Sequence, residues 1–217
     1  MRADGSEQRR VLQYSTYRGV TYKPESYHDI AVSPDGAKTA MVSWHDHQLY
    51  IVHEDSTLVR VENDGLKIQK VVWAADSSKL ACAAVRSQIQ THEQLWVIRE
   101  DGTDKKQVGS ILAESGFAWS PDNQHIATIG AHRGRYTVNI INTLTSEART
   151  IAAVETDTES QNNPNCPEWS PDGRYILYTT FAKPYTHIYR ADIAEGRIEL
   201  ILGDEGAFRF ILHPSWH

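Results

Sequence analysis

The sequence predicts an all-β fold assembled from repeated four-stranded antiparallel units, and three observations carry that expectation. A turn phrase of the form Trp-Ser-Pro-Asp-Gly recurs along the chain. Its anchors, Val32, Trp73, Trp119, Trp169 and Trp216, lie 41, 46, 50 and 47 residues apart. Each interval also holds short runs rich in β-branched and aromatic residues, bounded by turn residues, with no sustained helical period. Four strands per unit of about 40–50 residues is the pattern of a β-propeller blade.

Taken in order, the polar start "MRADGSEQRRVLQ" lacks the apolar stretch of a secretory signal, and residues 1–8 are expected to form a flexible lead-in. "VLQYSTY" and "VTYKP", flanking Arg18-Gly19, read as a hairpin. In each unit a short apolar segment ends at the anchor and a turn follows. A second run comes next, such as "AKTAMVSW", "SKLACAAV", "QHIATIG" or "RYILYTT". After a variable loop comes the third run: "QLYIVH", "QLWVIR", "YTVNII" or "THIYRAD". A turn then leads to the fourth: "LVRV", "KKQV", "ARTI" or "RIELIL".

This accounts for four complete blades, and residues 1–217 read as one propeller domain. Two architectures remain open. In one, the termini share a partial fifth blade, with Phe208 to Leu212 as its inner strand and the N-terminal hairpin outside it. That ring is one strand short, although closure would protect the sheet edges. In the other, the chain is an open arc of a larger propeller, with exposed apolar strands inclined to self-associate.

The turn residues have individual reasons. Pro171 pre-sets φ at the second turn position, Asp172 suits the third, and Gly173 takes the positive φ that closes the turn. Asn123, in the same place in the third copy, tolerates that conformation. The Trp at the end of each inner strand is expected to wedge between blades, a structural role rather than a catalytic one.

"WSPDGRYILYTT…THIYRAD" resembles the TolB-like, WD-related propeller repeat, and the resemblance runs from about residue 28 over nearly the whole chain. The fourth blade carries the full motif, the third departs only at Asn123, the first has Val32 for Trp, and the second has Ala74-Ala75 for Ser-Pro. Proteins with such blades include periplasmic scaffolds, peptidase gating domains and lyases, so the resemblance implies a fold and several functions.

Composition narrows the partners. Of the 217 residues 40% are hydrophobic and 23% charged, and the net charge of −6 gives no reason to expect nucleic acid or an anionic membrane. No apolar run approaches the roughly 20 residues that span a bilayer. As written the chain is expected in the cytoplasm, or in the periplasm if a leader precedes it. Cys82, in an apolar run, reads as a buried thiol, and Cys166 lies in a polar loop; two cysteines make neither a disulfide framework nor a zinc site.

In a propeller the Ser-Pro-Asp-Gly turns share one face with the turns between third and fourth strands. The loops between second and third strands and the links between blades form the other. His28, His45, His47, His92, His132 and His187 all map to this second face, with Trp44, Asp46, Glu93, Arg133, Arg135, Lys183 and Tyr185. Such a face suits binding. The binding residues expected from this mapping are Trp44, His45, His47, His92, His132, Arg133, Tyr185 and His187.

The densest cluster is Trp44-His45-Asp46-His47. On an extended strand its two imidazoles would point the same way, as the start of a metal site. No second pair at fixed spacing accompanies it, so a solvated histidine-rich loop is the simpler reading and no metal is expected. "EDGTD", from Glu100 to Asp104, falls where a hairpin needs a turn. "ETDTESQNNPN" reads as a mobile polar link. No nucleophile elbow, phosphate loop, dinucleotide fingerprint or His-Glu-x-x-His occurs, so neither a catalytic residue nor a cofactor is expected.

Three functions follow in order of preference. The first is a non-enzymatic module binding a protein or peptide on the histidine-rich face. The second is the substrate-gating propeller of a serine peptidase resembling the prolyl oligopeptidase group, without its hydrolase domain. The third is a metal-dependent lyase or hydrolase using loop histidines.

Overall fold

A computed structural model describes residues 15–17, 20–22, 27–86, 92–112, 116–132, 135–154, 165–182 and 185–202. These contain strands and turns and no helix, so none of them forms a helix long and apolar enough to cross a membrane. Strands β1 (Ser15–Tyr17) and β2 (Val20–Tyr22) pair as the expected hairpin. The expected strand at Phe208 to Leu212 and the polar link at Glu155 to Pro164 lie outside the described residues.

Four antiparallel meanders follow. Blade 1 is β3 (Tyr27–Val32), β4 (Lys38–Ser43), β5 (Leu49–His53) and β6 (Leu58–Val61). Blade 2 is β7 (Lys67–Trp73), β8 (Lys79–Val85), β9 (His92–Arg99) and β10 (Lys106–Leu112). Blade 3 is β11 (Phe117–Trp119), β12 (His125–His132), β13 (Arg135–Asn142) and β14 (Ala148–Val154). Blade 4 is β15 (Asn165–Trp169), β16 (Tyr175–Ala182), β17 (Tyr185–Asp192) and β18 (Ile198–Leu202). The protein is a β-propeller, with four complete four-stranded blades among the described residues.

Each turn phrase works as a hydrogen-bonded clasp. In blade 4, Ser170 Oγ donates to Asp172 Oδ1 at 2.6 Å and accepts from the Tyr175 N–H at 2.8 Å, so one hydroxyl joins the turn to the next strand. The Arg174 N–H donates to the same carboxylate at 3.0 Å, and the Gly173 N–H to the Ser170 carbonyl at 2.9 Å. Ser33-Asp35 in blade 1 and Ser120-Asp122 in blade 3 repeat the arrangement. Hydrogen bonds from Ser170 and the Arg174 N–H hold the Asp172 carboxyl below the usual aspartate range.

Gly173 and Asn123 take the expected left-handed backbone, at φ 71° and 59°. Ser77, their counterpart in blade 2, does so too at 58°, without being Gly or Asn. A contact to the preceding blade accompanies this, since Ser77 Oγ accepts from the Asp35 N–H at 3.1 Å.

The tryptophans are wedges, and they are also bonded ones. Trp73 Nε1 donates to the Ala31 carbonyl at 3.0 Å, Trp119 Nε1 to Val72 at 3.2 Å and Trp169 Nε1 to Ala118 at 3.1 Å. Every acceptor is the residue just before the anchor of the preceding blade, so the repeat supplies donor and acceptor together. The stems of the side chains close three apolar cores, one between each pair of successive blades. Cys82 is buried in the first, where desolvation pushes its thiol pKa up and makes it inert.

Blade 1 differs at the same register. Val32 is 62% exposed and Ile30 57%, where Trp73 and Val71 are 5% and 3% exposed. No described blade packs on that side of β3. The outer part of the same flank is nevertheless buried, through Tyr27, Met41, Tyr50 and Val52.

Candidate functional site

Local backbone geometry builds a cluster on the loop face of blade 1. The β3–β4 register shifts between Tyr27 and Asp29, which leaves His28 at a β-bulge. A bulge bends a strand and re-aims one side chain. A shift at the equivalent place in β7, between Ile68 and Lys70, shows that the bulge belongs to the repeat. The histidine at this position is particular to blade 1.

Across from it, residues 44–46 form a turn and His47 takes a positive φ of 54°. His47 is fixed from both sides. Its N–H donates to the Ser43 carbonyl at 3.0 Å and its carbonyl accepts from the Ile68 N–H at 3.0 Å. The His47 ring lies 5.6 Å from that of His28, at 60° to it. The indole of Trp44 tilts over His28 at 4.6 Å while remaining 62% exposed.

His45 and His47 lie in a loop, not along a strand; His45 is exposed and His47 folds back toward His28. Asp46 is likewise engaged, accepting from the Tyr50 hydroxyl at 3.0 Å and the Gln48 N–H at 3.2 Å. The pairing that forms is His28 with His47. Burial first, and then the neighbouring His47, hold the His28 pKa below the ordinary imidazole range, so its ring is neutral at pH 7.

Buried polar atoms without a hydrogen-bond partner point to the same place. Among the described residues they are His28 Nε2, His47 Nδ1, Gln48 Oε1 and Glu100 Oε2. The last lies 2.6 Å from the Lys38 ammonium and is ion-paired. The other three belong to one loop cluster. Buried polar groups normally find partners, which makes this concentration informative.

Three of the remaining expected site residues stand at strand ends in other blades. His92 opens β9, His132 ends β12 and Tyr185 opens β17. Arg133 and Lys183 lie outside the described residues. His187 stands edge-on to Tyr189 at 6.2 Å, and Tyr189 stacks on the buried Tyr178 at 5.5 Å. Blade 4 thus has an aromatic ladder of its own, separate from the blade 1 cluster. Glu93, also expected on this face, is buried.

The opposite face carries a cleft of about 310 Å³ lined by Lys79, Arg99 and Lys106 among others. Its cations are engaged: Arg99 pairs with Asp104, Lys106 donates to the Thr143 carbonyl at 3.2 Å, and Lys79 lies over the Trp119 ring at 5.1 Å. Among the described residues no three His, Cys, Asp or Glu side chains converge as a ready metal centre.

No family model and no curated protein matches the chain. Solved structures do. A protein from Agrobacterium tumefaciens described as TolB superimposes with a TM-score of 0.61 at 18% identity, covering 82% of this chain and 62% of that one. TolB from Acinetobacter baumannii gives 0.55 at 15% identity, over 79% of this chain and 40% of that one. A prolyl endopeptidase gives 0.60 at 15% identity, over 82% of this chain and 30% of that one. The likeness is one of fold, and the chain spans less than two thirds of each of these proteins.

Proposed function

We propose that the chain is a non-enzymatic interaction module that captures a protein or peptide segment on its histidine- and aromatic-rich loop face. One observation carries this reading. Trp44 is the only tryptophan among the described residues with an exposed side chain, and it rests against His28 rather than hanging free in solvent. An exposed, buttressed indole combines large apolar area with little entropy left to lose, which is what an interface anchor requires. His132 at the end of β12, Tyr185 at the start of β17 and His187 within β17 occupy the loop end of other blades.

Peptides selected from a displayed library against the folded chain test this. Their affinity for W44A/H132A/Y185A should fall by more than about tenfold, with the circular dichroism unchanged. Equal affinity for the triple variant would contradict the reading. The alternative, a substrate-gating propeller of a serine peptidase, draws on the likeness to the prolyl endopeptidase. It requires a hydrolase domain encoded in frame with this chain.

A further inference from the structure

We propose that His28 and His47 form a binding site for a divalent late first-row transition-metal ion, zinc or a neighbour of zinc. The inference goes beyond partner capture and does not depend on it. His28 Nε2 and His47 Nδ1 are buried and accept or donate no hydrogen bond. An imidazole nitrogen in that condition has no protein partner, and its lone pair is available to a ligand. The spacing suits one ion. Two imidazoles bound at roughly 2.0–2.1 Å in tetrahedral geometry hold their ring centres about 5 Å apart, and these lie 5.6 Å apart.

Both rings are held before any ion arrives. The β3 bulge sets His28 and Trp44 packs over it. The backbone of His47 is bonded on both sides. Gln48, nine-tenths buried and next in sequence to His47, also keeps its Oε1 unpartnered. Asp46 is held by Tyr50 and Gln48. With two nitrogens fixed and no third His, Cys, Asp or Glu joining among the described residues, open positions remain for water or for a donor on a bound molecule. That is the coordination of a binding site rather than of a closed structural one. Imidazole nitrogen favours zinc, nickel, cobalt or copper over magnesium or calcium.

The test uses the full chain without a histidine tag, stripped with chelator and titrated calorimetrically with zinc chloride. About one equivalent should bind. H28Q and H47Q should each weaken binding by more than the roughly tenfold that loss of an outer-sphere partner costs, while H45Q should bind as the wild type does. No stoichiometric binding by the wild type would overturn the proposal, leaving water as the partner of both nitrogens. So would undiminished binding by H28Q/H47Q, loss in H45Q, or equal binding by the urea-unfolded chain, which would mean adventitious chelation. If either glutamine variant fails to fold, cobalt-induced shifts of the imidazole resonances decide on the wild type. Shifts confined to His28 and His47 support the site, and shifts led by other histidines overturn it.

Discussion

On the turn face, Ser170 Oγ both donates to Asp172 and accepts from Tyr175, while on the loop face of blade 1 two imidazole nitrogens and an amide oxygen are buried without partners. On the first face the repeat sets the recurring contacts. The same hydroxyl, carboxylate and N–H recur in blades 1, 3 and 4, and the indoles of blades 2, 3 and 4 find the carbonyl that the previous repeat presents. The second face departs from the repeat, because the bulge position holds His28 in blade 1 and Gln69 in blade 2. Where the repeat is obeyed, the residues explain the architecture. Where it is broken with unspent hydrogen-bonding capacity, they mark the candidate site.

Substitutions can break that contrast, and the largest effect belongs to the blade interfaces. W119A removes a buried indole and its hydrogen bond to Val72, and should cost about 3–5 kcal/mol in urea unfolding. A loss below about 1 kcal/mol would mean that the tryptophans do not hold the blades together. S170A comes next. It removes the buried hydroxyl that bonds the Tyr175 N–H and Asp172, so about 1–2 kcal/mol should be lost. Blade 2, with Ala74 in place of the serine, shows that the turn still forms without that hydroxyl.

The clasp also predicts an acid response. Folded Asp172 binds its proton less tightly than an unfolded aspartate, so the unfolded state takes up protons first as the pH drops. Its contribution to stability is therefore complete above the ordinary aspartate range and is lost as pH falls through the lowered folded value. D172N should unfold in less urea than wild type at pH 7, and the two midpoints should converge as the pH falls below the ordinary aspartate range. A constant difference at all pH values would remove the carboxylate from the account. The smallest effect is expected on the loop face, where W44A should change stability by no more than about 0.5 kcal/mol.

Much of the turn face was legible in the sequence because turn chemistry is local. Pro171, Asp172 and Gly173 are adjacent, and their roles follow from the dihedrals that each residue favours. Asn123 was readable for the same reason. Ser77 was not, since the Asp35 N–H it accepts from lies a whole repeat away. The pairing in blade 1 was not legible either, since a turn separates His45 from His47 and a bulge brings His28 across from another strand. Bulges and left-handed non-glycine residues depend on neighbouring strands, and spacing along one strand does not register them.

The division of labour between the two faces is tested most directly by the affinity of a selected peptide for W44A, measured beside wild type in one titration. Loss of more than about tenfold in a protein with the wild-type urea midpoint is the predicted result. Unchanged affinity would contradict the assignment of binding to the loop face.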